Sequence, residues 1–419
     1  MTASVAVAAR HPARVREVPR ERRRVALPLL LAVMALVAIG VVMVYSASSV
    51  RALLASDDPA HYGVLQAMYA VIGLTAMFVL SRIDFRLFRY LAIPAYVTAL
   101  VLLALVLVPG MGAEVGGSRR WLVLPFIGNF QPGEIAKLAI IVYLAHWLDR
   151  RGAAARGFWN GLVPFAMLVA PGFLLIAAEP DLGTAGVYAA ISLAVYFMAG
   201  ANLLAFGAIS ASVLGAAYLF VSSTPYQLQR VTTFLNPESD PLGAGYNAMQ
   251  ALMALALGGA TGAGLGASRL KYLYLPAPST DFIFAIIGEE WGLFGTLAIV
   301  GLFMVVAWQG YRIAIHAPDT FSGLMAAGIT TWLVVQACVN MMVVTALMPV
   351  TGIPLPFISY GGTALIISLV AVGILLSISR EAQSGSVFDA LLRVGRRDGR
   401  ARVPRAGRRP GPARRSTGG

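Results

Sequence analysis

The side chains best placed to do chemistry begin with Asp281, in the segment Pro276-Ala277-Pro278-Ser279-Thr280-Asp281-Phe282-Ile283-Phe284. A carboxylate where a proline-rich loop turns into an apolar run is a candidate general base. The same place suits a helix cap, since Thr280 or Asp281 makes a good N-cap. A helix N-terminus would lower the acid's pKa, whereas desolvation would raise it, and the sequence leaves that balance open. Eight residues on come Glu289 and Glu290, about 12 Å further along a helix. Carboxylates inside an apolar span are costly and default to functional candidates. They read equally as a buried pair with Lys137 or with polar groups of another helix.

Cationic and acidic groups gather nearby in type. Gly117-Ser118-Arg119-Arg120-Trp121 is followed by Gln131-Pro132-Gly133-Glu134-Ile135-Ala136-Lys137. Pro132 fits the first turn of a helix, where its missing N–H costs nothing. Glu134 and Lys137 then share a face, as a local ion pair or with Lys137 joining Arg119 and Arg120 in a patch for phosphate oxygens, which match a guanidinium fork. Glu179-Pro180-Asp181-Leu182-Gly183-Thr184 is a tight turn whose two carboxylates could cap a helix, hold a cation, or orient Arg and Lys. Gln336 and Asn340, four apart, suit interhelical hydrogen bonds. Pro349-Val350-Thr351-Gly352-Ile353-Pro354-Leu355-Pro356-Phe357-Ile358-Ser359-Tyr360-Gly361-Gly362 cannot form a lipid-facing helix. Irregular backbone at membrane depth must be buried in protein or line a wet cavity.

These groups must be positioned by apolar elements. The 419 residues are 58% hydrophobic and 12% charged, with a mean hydropathy of +0.76; soluble domains carry about 25% charged residues. A cytosolic enzyme, a secreted domain and a disordered scaffold are thereby excluded. Ten apolar runs are long enough to be read as spans, at 27–45, 64–80, 91–108, 132–148, 162–178, 184–199, 203–221, 282–307, 322–348 and 359–378. The first exceeds the apolar stretch of a cleaved signal. The fold class expected is an all-α polytopic membrane protein of ten transmembrane helices, with a basic tail 1–26, a membrane domain 27–380 and a basic disordered tail 381–419.

Charge arbitrates topology. The net charge is +13, and seven Arg precede Ala26 while eleven lie from Arg380 onward. With ten spans, 25 of the 32 basic residues fall on one side, together with both termini; the positive-inside rule makes that side cytoplasmic. The opposite side holds Arg51, Arg119, Arg120, Arg230, Arg269 and Lys271, in loops that include the long stretches 109–131 and 222–281. Loops of that length are commonly functional, and their Trp, Tyr, Pro and Gly content points to ordered structure. The one cysteine, Cys338, forms no intrachain disulfide. A nucleic-acid partner is not expected, because the basic excess sits in the two tails, where it also suits anionic membrane lipid.

The chain resembles the SEDS family (shape, elongation, division and sporulation) over roughly residues 27–380. The resemblance is carried by Met43-Val-Tyr-Ser-Ala-Ser48, Arg119-Arg-Trp121, Gln131-Pro-Gly-Glu-Ile-Ala-Lys137, Glu179-Pro-Asp-Leu-Gly183, Phe234 to Tyr246, Thr280-Asp-Phe-Ile-Phe-Ala285 and Leu355-Pro-Phe-Ile-Ser-Tyr-Gly-Gly362. Val108-Pro-Gly110, Ser268-Arg-Leu-Lys-Tyr272 and Gly288-Glu-Glu290 are more similar to the cell-division branch than to the elongation branch. The resemblance implies a peptidoglycan glycosyltransferase in the bacterial cytoplasmic membrane, at the division septum. It would polymerise the lipid-linked precursor lipid II into β-1,4 glycan strands and release undecaprenyl pyrophosphate. It implies Asp281 as the general base, substrate contacts from Arg119, Arg120, Trp121, Glu134, Lys137, Glu179, Asp181, Lys271, Thr280 and Ser359, and a class B penicillin-binding protein and other division proteins as partners. A divalent cation, Mg2+ or Mn2+, could assist at the pyrophosphate, although no residues show metal-ligand spacing. Ala277 and Ser279 stand where the family commonly has an acidic residue and His, and Gly133 where it has Ser. An elongation-type polymerase, a lipid II flippase and a division scaffold are the alternatives; a flippase would need polar residues continuing to the inner side.

Overall fold

The computed structural model describes residues 26–115, 118–124, 128–235 and 245–381. The two basic tails and residues 236–244 of the Phe234–Tyr246 motif lie outside the described residues. Every one of the ten apolar runs falls on a helix: α1 (Leu27–Ser56), α2 (His61–Arg82), α3 (Leu87–Leu107), α4 (Pro132–Arg151), α5 (Val163–Ala178), α6 (Leu182–Met198), α7 (Leu203–Ser223), α10 (Ile283–Ile315), α11 (Thr320–Val344) and α12 (Gly362–Glu381). Two more helices, α8 (Pro225–Leu235) and α9 (Tyr246–Gly258), occupy the long loop after α7. Among the described residues, seven helices are long and apolar enough to cross a membrane: α1, α2, α3, α5 with the π-helical turn Phe158–Leu162 ahead of it, α10, α11 and α12. Of the others, α6 has only 17 residues, and α4 carries Glu134, Lys137 and two terminal arginines.

Local sequence explains the element ends. Pro132 opens α4. Asp181 caps α6 by accepting from the Thr184 N–H, and Asn202 caps α7 by accepting from the Leu204 N–H. Gly200, at φ 84°, turns the chain between α6 and α7, so the two short runs are separate helices. Asp319 and Ser322 form a reciprocal capping box at the start of α11. That helix is the most enclosed of the spans, with Trp332 fully buried, and it packs against α10, α6, α4 and α12.

At one end of the bundle, charged residues tie helix termini together. Arg89 reaches Asp149 (3.0 Å) and Asp319 (3.4 Å), Arg86 reaches Glu381 (3.7 Å), and Arg380 donates to the Ser81 carbonyl (2.7 Å). The opposite end is covered by the two long loops. In the first, β1 (Gly112–Val115), β2 (Ser118–Leu124) and β3 (Gly128–Phe130) pair as an antiparallel sheet in the order β1-β2-β3, with a bulge at Ala113/Glu114. Residues 345–361 are irregular, as the prolines require. The backbone carbonyls of Ile353 and Pro354 accept from Asn340 (2.8 Å) and Gln336 (3.0 Å). This segment is therefore buried in protein, with Leu355, Phe357 and Ile358 inside the core.

The run 282–307 contains a break that helical periodicity does not signal. Gly292 has φ 66° and ψ −162°, a region essentially reserved for glycine. It separates Ile283–Trp291 from the rest of α10. Across the break, the Glu289 and Glu290 carbonyls accept from Ala263 (2.9 Å) and Gly264 (3.0 Å), and Leu293 donates to Gly259 (2.9 Å). A methyl group at Gly292 would lie 2.6 Å from the Ala260 carbonyl oxygen. Gly292→Ala is thus expected to cost at least about 1–3 kcal/mol, read as a lower melting temperature of the purified protein in detergent. Gly301→Ala, in open helix surface, serves as the neutral control.

Candidate active site

Asp281, the last loop residue but one before α10, opens onto a cavity of about 130 Å³ at the loop-covered end of the bundle. Arg120, Asp181, Arg230, Asn247, Thr351 and Gly352 are among its lining residues. Arg120 comes from β2, where strand alternation turns it inward while Arg119 is exposed. Arg230 comes from α8, Asp181 from the start of α6, and Gly352 from the proline-rich segment. A methyl group built on Gly352 would sit 3.7 Å from Arg120 Nη1 and 3.8 Å from Asp281 Oδ2. The glycine, at φ 71°, therefore leaves open the space between cation and carboxylate.

Each charge here has a distinct environment. Asp181 Oδ2 accepts from the Thr184 hydroxyl (2.9 Å), Gln131 (3.3 Å) and Arg120 (3.5 Å), while Oδ1 accepts from the Thr184 N–H (3.0 Å). Asp181 is thus both helix cap and orienter of Arg120, two of the roles its sequence context allows. Arg230 Nη1 donates to the Val350 carbonyl (3.2 Å). Among the described residues, no group donates a hydrogen bond to the Asp281 carboxylate. Burial pushes its pKa above the ordinary value; Arg120 and, less, Arg230 oppose the shift, and Asp181 adds to it. Desolvation therefore outweighs the pull of the two arginines. The expected N-cap role fails: Phe282 occupies the cap position and makes no side-chain cap bond, and Thr280 Oγ1 bonds the Ala277 carbonyl (3.3 Å).

The loop bearing Asp281 is held through its backbone. The Asp281 carbonyl accepts from Asn340 (2.9 Å), the Thr280 carbonyl from Ser359 Oγ (2.6 Å), and the Ser279 carbonyl from the Tyr360 N–H (2.8 Å). Thr280 and Ser359, expected as substrate contacts, here form this clasp. Asn340 bonds loop carbonyls rather than another helix, so its expected interhelical role is replaced by loop positioning.

The basic residues expected to meet substrate, Arg119, Arg120, Lys137 and Lys271, are not gathered in one place. Of them Arg120 alone lines the cavity. Lys137 is fully buried, held by Glu134 (2.7 Å) and by Gln336 of α11 (2.7 Å), over the Trp332 ring. Lys271 is buried against Glu290 (3.5 Å) and Ser46, so Glu290 pairs with Lys271 and not with Lys137. The sequence could not say which carboxylate each lysine meets, and burying either ammonium without one is prohibitive. Trp121 lies on β2 opposite Ala113, half-buried. Arg230 and Asn247 had no role assigned from sequence. The available signal was that Arg230 is one of only six basic residues in the loops of that side.

Glu179, at the end of α5, is 1% exposed, and its Oε1 has no hydrogen-bond partner. Burial first, then Asp181, raise its pKa to about 8 against the pull of Arg120. At neutral pH it is a neutral acid, unsuited to holding a cation. Among the described residues no three His, Cys, Asp or Glu side chains converge as a metal site, and both oxygens of Asp181 are already bonded. The donor set does not fit a preformed Mg2+ or Mn2+ site. A protonated-carboxyl infrared band is expected at pH 7, lost as the pH passes about 8 and absent in Glu179→Gln. Asp181→Asn should lower its midpoint and Arg120→Gln should raise it.

Fold and site together define a multi-pass helical membrane protein with a charged cavity under its loop-covered end. Residues 27–384 match the cell cycle protein family of FtsW, RodA and SpoVE, and the chain belongs to that family. It is 43% identical to stage V sporulation protein E of Bacillus subtilis, over 84% of this chain and 96% of that one. It is also 43% identical to a probable peptidoglycan glycosyltransferase FtsW of Trichlorobacter lovleyi, over 84% and 92%. Among solved structures it is similar to a chain of a peptidoglycan synthase complex (TM-score 0.70, 32% identity, covering 85% of this chain and 98% of that one). Thermus thermophilus RodA is a further match (TM-score 0.61, 30% identity, 85% and 97%).

Proposed function

We propose that the protein is a peptidoglycan glycosyltransferase that polymerises lipid II at the outer face of the cytoplasmic membrane during septal wall synthesis, with Asp281 as general base. The observation that carries this reading is the Asp281 carboxylate, undonated and raised in pKa, facing a cavity that also presents Arg120 and Arg230. The names of the relatives support it: one is a probable peptidoglycan glycosyltransferase and one a chain of a peptidoglycan synthase complex. The latter also supports a class B penicillin-binding protein as partner.

This geometry supports the following reaction. Asp281 takes the proton of the acceptor sugar hydroxyl as its oxygen attacks the anomeric carbon of the lipid-linked growing strand. The bond from that carbon to the pyrophosphate oxygen breaks, with inversion, and the leaving group departs as undecaprenyl pyrophosphate. Its growing negative charge meets the guanidinium of Arg120, oriented by Asp181, and that of Arg230. Fixed donors aimed at developing charge need no reorganisation. A cavity of about 130 Å³ holds the reacting groups, leaving lipid and peptide to lie outside it. The raised pKa of Asp281 strengthens it as a base, since basicity and proton-transfer driving force rise together.

Topology is part of the proposal. Ten spans place both tails in the cytoplasm, beside the end tied by Arg86, Arg89 and Arg380. The cavity then faces the outer side, where the long loops lie.

Purified protein with its transpeptidase partner should elongate glycan strands from lipid II, and Asp281→Asn should slow this by about 10²–10⁴-fold. Undiminished synthesis by that variant rejects Asp281 as base. Protein-dependent lipid II translocation in vesicles without polymerisation would favour a flippase instead. The base must be ionised, so activity rises with pH through the Asp281 pKa. Arg120 lowers that pKa. Arg120→Gln is accordingly expected to move the acid limb of the kcat/KM profile to higher pH, besides reducing the rate.

A further inference from the structure

Three segments distinctive in the sequence take no part in the cavity: Met43–Ser48 of α1, Ser268–Tyr272 after α9, and Gly288–Glu290 of α10. They converge on one buried cluster. Glu290 Oε1 accepts from Ser46 Oγ (2.6 Å), the Ser268 N–H (3.4 Å) and Lys271 Nζ (3.5 Å). Glu289 accepts from Ser268 Oγ (2.5 Å) and the Arg269 N–H (2.7 Å). Lys271 Nζ also donates to the Gly266 carbonyl (2.6 Å). All five side chains that meet here (Ser46, Ser268, Lys271, Glu289 and Glu290) are less than a tenth exposed.

We infer that this cluster sets the position of Asp281, with Lys271 and Glu290 as positioning residues for the reaction; the inference rests on Asp281 being its base. The break at Gly292 frees the helical segment Ile283–Trp291 from the axis of the remainder of α10; Ile283–Ile287 pack in the apolar core, and polar contacts at the two ends of the segment complete its orientation. At the cavity end these are the backbone bonds from Asn340, Ser359 and Tyr360. At the other end they are the carboxylates of Glu289 and Glu290, together with the N–H groups of Ala263 and Gly264 donating to their carbonyls. Asp281 and Glu289 are separated by about 12 Å at helical rise, so the cluster acts at a distance and touches no reacting group. Two carboxylates against one ammonium are a poor way to gain stability, because apolar replacements of buried ion pairs are often neutral or better. What the cluster supplies is one defined placement, joining α1, the loop after α9 and the base-bearing segment. A misplacement of about 1 Å at a reacting centre costs about 10²-fold in rate.

The test uses the full chain with its partner and lipid II. Lys271→Met should lower kcat about 10–100-fold with an unchanged KM for lipid II, and Lys271→Arg should recover most of the loss. Amide hydrogen exchange should quicken over 283–291 in Lys271→Met, whether or not Asp281 is the base, and stay at the wild-type rate in Asp281→Asn. If Asp281→Asn remains active, the catalytic reading falls while exchange still reports on the cluster. Should Lys271→Met not accumulate, the near-isosteric Glu290→Gln carries the same expectations. Wild-type kcat together with unchanged exchange over 283–291, or a loss that follows only the folded fraction of the variant, overturns the inference.

Discussion

Desolvation of charge is the constraint on which the rest of this structure depends. A bundle this apolar can enclose an ionised group only if it supplies a counter-charge or several donors. Lys137 has Glu134 and Gln336; Asp181 has Thr184, Gln131 and Arg120; Glu289 and Glu290 have Ser46, Ser268, the Arg269 N–H and Lys271. Around the cavity, Glu179 and Asp281 receive no donor among the described residues, and they resolve the problem differently. Glu179, closed off from solvent, has its pKa raised to about 8 and keeps its proton at neutral pH. Asp281 faces the cavity, where the partner it lacks can be a substrate proton.

The contrast between Asp181 and Asp281 shows how one site keeps two acidic groups in separate roles. Asp181 accepts bonds from a helix N-terminus, an amide and a guanidinium, so its carboxylate is held in one place. There it aims Arg120 and, across the cavity, adds to the raised pKa of Asp281. Arg120 acts on both, bonding one and moderating the other. Gly352 completes the arrangement by omission, since any side chain there would fill the gap between Arg120 and Asp281.

Much of this was legible in the sequence, for reasons tied to particular residues. Apolar length located the helices, and Pro132 marked the start of α4 because its missing N–H is harmless only there. The proline and glycine density of residues 349–362 announced buried irregular backbone, and that backbone lines the cavity. What stayed hidden depends on contacts between distant segments. Lys137 was grouped with Arg119 and Arg120 by charge, and Lys271 was expected at the substrate through the resemblance, although each lysine is committed to its own carboxylate. Strand alternation separates Arg119 from Arg120, and nothing in the loop 109–131 had revealed a strand. Arg230 lay in a stretch read as loop, which folds as α8.

The break at Gly292 is the clearest case of a feature invisible to periodicity yet decisive for the site. The apolar run 282–307 has glycines at 288, 292, 295 and 301, and nothing in its pattern marks Gly292 as the one that breaks the helix. With the break, Asp281 lies just ahead of a short helix that makes polar contacts at both ends. The carbonyls of Glu289 and Glu290 bond the glycine-rich loop after α9. Their side chains reach α1 and the residues just beyond that loop. One short helix therefore collects structural information from four parts of the chain and delivers it to a single carboxylate. The segments 43–48, 268–272 and 355–362, far apart in the chain, each supply a bond to this helix or to the loop just before it.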